Sequence, residues 1–222
     1  MCGRFAADLD YEQLCRTFAA APGPQLPRPS WNIAPGQPIA LIAQDGQGRR
    51  HLNAALWNLL PPWAASPKLD YPTHNARIES ALDKRTYAEA ARSHRALIPA
   101  SGYYEWTRTH EPYYFRPPGD EPLLIGGLYS WWRPDDRSPW LLTATILTTQ
   151  AQGRAAEVHD RMPVLIDQAL VDDWLDTAVD GAKILPTAAR QGLALSTRLH
   201  SWQVGPLKGD GPQLTEGITL RL

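Results

Sequence analysis

Apolar residues along this chain come in short runs, and prolines and glycines separate them. Tyr11, Leu14, Cys15 and Phe18 recur at i, i+3, i+4 and i+7, which predicts a short amphipathic helix with Cys15 on its buried face. Asp10 and Gln13 form a capping pair ahead of it. After a Pro-rich loop from Ala21 to Pro29, strands are predicted at Ile39–Ala43 and Leu52–Leu59, around the turn Asp45-Gly46-Gln47-Gly48. Trp57 falls in a strand and is assigned to the core; Trp63 falls in a Pro-rich loop and is assigned to the surface. A helix-like stretch follows Glu79 to about Arg92, with Arg85 within it. A strand is predicted to start at Arg95–Pro99 and to pass through Ser101-Gly102 to Tyr103-Tyr104-Glu105-Trp106. Further strands are expected at Pro112–Arg116, Leu123–Trp132, Trp140–Thr149 and Val164–Ile166. Asp167 then caps a helix carrying Leu170, Val171, Trp174 and Leu175, and a final strand is expected at Leu193–Leu199.

With no repeat, heptad or linker, the pattern predicts one α+β domain over residues 1–222, rich in short strands with a few helices. The 21 prolines and 16 glycines suit that turn-rich architecture. Two cysteines, Cys2 and Cys15, give no disulfide framework and point to a reducing compartment. The start lacks an apolar signal region, and no uninterrupted stretch is long enough to span a membrane, so the expected location is cytoplasmic. Histidines and cysteines at zinc-like spacings are missing, as are a phosphate-cradling Walker loop and a dinucleotide glycine fingerprint.

Charge refines this only slightly. The net charge of −1 excludes a broadly basic nucleic-acid binder, leaving room for a local patch. Of the 22 basic residues only Lys68, Lys84, Lys183 and Lys208 are lysines. Arginine is the better bidentate phosphate ligand, although a GC-rich genome produces the same bias. Nine tryptophans are many for this length, and indoles are stacking platforms for bases.

The chemistry concentrates at the start, Met1-Cys2-Gly3-Arg4-Phe5. Removal of Met1 would give Cys2 a free α-amine next to its thiol. An α-amine with a reference pKa of about 7.7–8.0 is substantially neutral near pH 7 and attacks aldehydes to give a Schiff base. The thiol can then close on the imine carbon as a thiazolidine. Taken alone, Cys2 is more readily read as a small residue after the initiator; the rest of the chain changes the odds. Glu105 lies among aromatic neighbours, where desolvation would suit it to proton transfer; a strand carboxylate facing water is the plain alternative.

Four blocks in order are Cys2-Gly3-Arg4-Phe5, Asn75-Ala76-Arg77-Ile78-Glu79, Gly102-Tyr103-Tyr104-Glu105-Trp106 and His159-Asp160-Arg161-Met162-Pro163. Together they resemble the SRAP family, the SOS response-associated peptidases, over nearly the whole chain. The resemblance implies a β-rich, barrel-like α+β fold, no cofactor, and an autoproteolytic hydrolase that forms a covalent crosslink, with possible lyase activity, at abasic sites of single-stranded DNA. It implies that Cys2 captures the ring-opened sugar aldehyde once Met1 is gone. Asn75 would hold the amine and the sugar, Glu105 would shuttle protons, and His159 would act as the second acid/base. The family's DNA contacts match Arg4, Asn32, Trp63, Arg77, Arg85 and Trp106; Arg161 is a further candidate phosphate ligand. The implied protein is a monomer that associates with the nucleoid when bound. Departures are Asn58, where the family usually has Gly, and Ala64, where some members carry a second Trp.

Physical reasoning runs parallel. An abasic site has no base edge to read, so phosphates, neighbouring bases and the aldehyde itself remain for recognition. Two other classes stay open on the residues. Cys2-Gly3 also opens N-terminal-nucleophile glutamine amidotransferases, although Arg4 is out of place there. The other is a non-covalent single-strand binding module with an incidental Cys2.

Overall fold

The computed structural model describes residues 2–218, so Met1 and its expected removal lie outside it. In chain order, β1 (Arg4–Ala7) leads into α1 (Tyr11–Phe18), β2 (Ala20–Pro22), β3 (Ser30–Ile33), β4 (Pro38–Gln44), β5 (Arg50–Trp57) and β6 (Asn75–Arg77). Next come α2 (Ala88–Ser93), β7 (Arg95–Ala100), β8 (Gly102–Trp106), β9 (Pro112–Arg116), β10 (Leu123–Trp132) and β11 (Leu141–Gln150). The chain continues through α3 (Gly153–Val158), β12 (Arg161–Pro163), α4 (Val171–Leu175), α5 (Gly181–Ser196) and β13 (His200–Gln203).

Strands β4, β5, β11, β10 and β7 close on themselves as a five-stranded mixed barrel. Every neighbouring pair is antiparallel except β5–β11, where Leu56 and Trp57 run beside Thr143 and Ala144. Closure removes the sheet edge that an open β-sheet must otherwise protect. A second sheet, in the order β13-β9-β8-β1-β3, is antiparallel throughout. The architecture is therefore an α+β barrel-like fold.

Alternation along the strands divides the core in two. Ile39, Leu41, Trp57, Ile98, Ala144 and Ile146 share one cluster with Phe5, Tyr103 and Phe115 of the second sheet. The opposite faces, with Ala40, Ile42, Leu97 and Leu147, pack against Leu14 and Phe18 of α1, Trp174 of α4, and Ile184 and Leu185 of α5. Asp10 caps α1 by accepting from the Glu12 and Gln13 amides, and Cys15 is half-buried beside that core. Arg95 is buried and donates only to carbonyls, those of Arg92, Trp174, Asp176 and Val179, which ties β7 to the helical layer.

Four local expectations are corrected. The strand expected at Val164–Ile166 forms at Arg161–Pro163, where β12 pairs with β11, and Leu165 keeps only a bridge to Ile125. The stretch from Glu79 to Arg92 is a 3₁₀ turn over Ile78–Ser80 followed by turns, and only Ala88–Ser93 is α-helical, so Arg85 sits in a turn. The strand expected from Arg95 to Trp106 breaks at Ser101, and its halves enter different sheets. The strand expected at Leu193–Leu199 is mostly the end of α5, capped at its start by Asp180. There the alternation of Leu193 and Leu195 with Ala194 and Ser196 imitates a strand. The helical stripe Ile184, Leu185, Ala188, Gly192 and Ser196 decides the outcome, with Pro186 tolerated inside the helix.

Candidate functional site

The site forms where β1, β6, β8 and the segment before β12 meet. Cys2 lies two residues before the start of β1, which pairs with β8 so that Arg4 lies opposite Tyr104 and Phe5 opposite Tyr103. On β8, Tyr103 and Glu105 share the face towards Cys2, while Tyr104 and Trp106 belong to the cluster on the other side. Asn75 is placed by a detour. After Trp57 the chain leaves the edge of β11 for residues 58–74 and returns as β6, with Asn75 beside Ile146. Asn58 braces that detour by accepting from the Thr73 amide (3.3 Å) and hydroxyl (2.9 Å), and among the described residues it is not one with positive φ.

Asn75 Nδ2 donates to the Cys2 carbonyl at 2.7 Å, and the Tyr87 hydroxyl holds the Asn75 carbonyl at 3.2 Å. Asn75 Oδ1 and the Tyr103 hydroxyl are buried with no partner among the described residues. Buried polar groups rarely stay unpaired, so these atoms mark the polar lining of the site. Cys2 is wholly buried. That burial, with the Glu105 charge behind it, pushes the thiol far above its ordinary range. Glu105 is 4% exposed, and burial raises its carboxyl above the usual carboxylate range while His159 pulls the other way. The Nδ1 of His159 lies 3.0 Å from the Arg161 amide and 2.9 Å from Asp160 Oδ1. Nδ1 is thus engaged by its own loop.

Arg4 Nη1 donates to Asn32 Oδ1 at 2.9 Å, and Asn32 Nδ2 donates to the Gly209 carbonyl at 2.6 Å. Those two candidates are one unit. Arg77 and Arg85 are exposed, and Arg85 Cζ lies over Trp63, 4.3 Å from the ring centroid. Trp106 is half-buried against Tyr104 and Tyr114. Arg161 differs from the others. Its guanidinium grips both oxygens of Glu79 at 3.1 and 2.9 Å and donates to the Thr148 carbonyl at 2.7 Å, with its side chain 14% exposed. Nη1 and Nη2 brace β11 against β12 and Glu79, while Nε is buried with no partner among the described residues.

Reasoning from sequence missed Tyr103, although its position two residues before Glu105 on one strand was the available signal. Among the described residues no group of histidine, cysteine or acidic side chains could hold a metal ion. No described helix is long and apolar enough to cross a membrane.

Relatives share this arrangement of chain. Residues 1–206 match the model of the SOS response associated peptidase (SRAP) family. The chain is 34% identical over 184 residues to the abasic site processing protein YoqW of Bacillus subtilis, covering 79% of this chain and 80% of that one. It is 26% identical to the abasic site processing protein YedK of Escherichia coli over 98% of this chain and 100% of the other. A crystal structure from Bordetella bronchiseptica, 26% identical, superposes with a TM-score of 0.76 over 92% of this chain and 100% of its own. One from Bacteroides thetaiotaomicron reaches a TM-score of 0.81 at 16% identity, over 98% of this chain and 100% of its own, and bears on the fold alone. By the family match and the YoqW identity, the chain belongs to the SRAP family.

Proposed function

We propose that this protein processes abasic sites in single-stranded DNA by covalent capture through Cys2. The observation that carries the reading is the contact of Asn75 with the Cys2 carbonyl beside a buried Glu105. It is supported by relatives named for abasic site processing.

In the 222-residue chain the Cys2 nitrogen is an amide, so the reaction starts with hydrolysis of the Met1–Cys2 bond. The freed α-amine attacks C1 of the ring-opened sugar, and loss of one water gives the imine. The Cys2 sulfur then adds to the imine carbon while its proton passes to the nitrogen, closing the thiazolidine. Burial keeps the thiol protonated, which makes the amine the first nucleophile. Glu105, with its raised pKa, is suited both to donate a proton to the departing hydroxyl and to take one from the thiol. In this reading His159, through Nε2, handles the sugar hydroxyl during ring opening. Arg4, steadied by Asn32, together with Arg77 and Arg85, forms the local cationic patch for phosphates. Trp63 and Trp106 offer faces to neighbouring bases.

Intact mass measurement after incubation with an abasic oligonucleotide tests the reading. The expected product is the chain without Met1, plus the oligonucleotide, less one water, and it survives heating. Cys2→Ser should give only a reversible imine that borohydride traps. Absence of adduct from the wild type, or an adduct of Cys2→Ser as heat-stable as that of the wild type, would refute covalent capture by this route.

A further inference from the structure

The surface farther along β11 carries two exposed indoles, Trp131 and Trp140, that the reading above leaves unused. Trp63, Trp131 and Trp140 are 41%, 46% and 55% exposed and gather around a hollow of about 220 Å³, together with Arg85 and Glu89. Drug-sized ligands take pockets of roughly 300–1,000 Å³, so this hollow is on the scale of a single heterocycle. Two guanidiniums hold the rings: Arg85 over Trp63, and Arg133 over Trp140 at 4.4 Å to the centroid. Arg133 is itself fastened to Asp136 at the tip of the β10–β11 hairpin. Braced indoles bearing cations on their faces are the groups that stack unpaired bases. Glu89 in the wall repels a phosphate inside the hollow and accepts from the amino group of a base.

The hollow shares Trp63 and Arg85 with the chain segment that carries the candidate phosphate path. Trp63 lies on the detour that returns at Asn75, and Arg85 follows Arg77 on the same segment. Asn75 stands beside Ile146, and the hairpin base pairs Trp132 with Leu141. Strand rise puts that base about 17 Å from Asn75, or about five nucleotides of a stacked strand.

We propose that the hollow between Trp63, Trp131 and Trp140 is a nucleobase subsite, which takes an unpaired base of the captured strand up to about five nucleotides from the abasic position. The proposal rests on the abasic-site reading above and extends its footprint in one direction along the strand.

The test uses single strands bearing a tetrahydrofuran abasic analogue, with either the 5′ or the 3′ arm lengthened from about two to about eight nucleotides. Binding is followed by fluorescence anisotropy. Wild-type affinity should step up as one arm, and only one, passes about five nucleotides. Trp140→Ala should lose that step, roughly 5- to 150-fold on the long strand, from stacking of about 1–3 kcal/mol per base, and should bind short strands as the wild type does. Arg133→Ala should lose part of it, and unchanged melting temperatures would show both variants folded. Overlapping length series for wild type and Trp140→Ala would overturn the subsite, as would an equal response to both arms; the surface would then suit a protein ligand. Covalent capture of a short true abasic oligonucleotide is scored in parallel. If capture succeeds and the step is missing, the subsite alone falls; if capture fails, the functional reading falls.

Discussion

The amide of Asn75 bonds the carbonyl of Cys2 at 2.7 Å, joining residues 73 positions apart. This bond fixes Cys2 against β6, and β6 is held in turn by the parallel pairing of Asn75 with Ile146. Asn75→Ala should therefore act twice. Loss of one hydrogen bond costs about 0.5–1.5 kcal/mol of stability, and the amine loses its orientation. Calorimetry should record the first effect and single-turnover adduct formation the second. An unchanged rate would show that the contact only braces the fold.

Glu105→Gln should separate stability from chemistry. A carboxyl whose pKa is raised in the fold favours folding below its unfolded pKa of about 4.3, and that contribution is lost as pH rises through the raised value. At neutral pH the buried charge thus opposes folding. The glutamine variant should melt higher than wild type at pH 7, with each kcal/mol relieved giving about 2–4 °C, and the difference should shrink towards pH 4. Adduct formation should slow by roughly 10²–10⁴-fold. A slower reaction with no gain in melting temperature at pH 7 would contradict the burial argument.

Arginines on the two sides of the site should behave differently. Arg77 is exposed, so Arg77→Ala should flatten the salt dependence of single-strand binding by about 0.7 in log–log slope and leave the melting temperature alone. Arg161 is committed to Glu79 and Thr148, so Arg161→Ala should lower stability by about 1–2 kcal/mol and leave the slope unchanged. Salt titrations in a Cys2→Ala background measure both. A slope that drops with Arg161→Ala would return Arg161 to the phosphate contacts.

Gly102 allows β8 to lie close to β9. A Cβ there would stand 2.4 Å from the Phe115 carbonyl oxygen and 2.5 Å from Tyr114 Cζ. Gly102→Ala should push β8 out of register with β9, at a cost of about 1–3 kcal/mol. Glu105, three residues on, would shift with it. The variant should lose both melting temperature and rate of adduct formation, whereas a variant stable as wild type would place the slack elsewhere in the sheet.

The residues by themselves determined a good deal. The reagent proposed at Cys2 rests on covalent chemistry at a chain start and requires no fold. Helix α1, the β4–β5 turn, the burial of Trp57 and the exposure of Trp63 follow from local periodicity and turn residues. Tertiary structure decided the rest. Whether Arg95–Trp106 is one strand or two depends on which sheet each half joins, and partners distant in sequence set that. Alternation at Leu193–Ser196 could not outweigh a helical stripe that has the barrel's outer face to bury it. The commitment of Arg161 to Glu79 is likewise invisible along the chain, because a guanidinium goes to whichever acceptors the fold brings near. The burial that raises Glu105 arises only when β1, β6 and β8 converge and exclude water, so its pKa belongs to the assembled site and not to the strand that carries it.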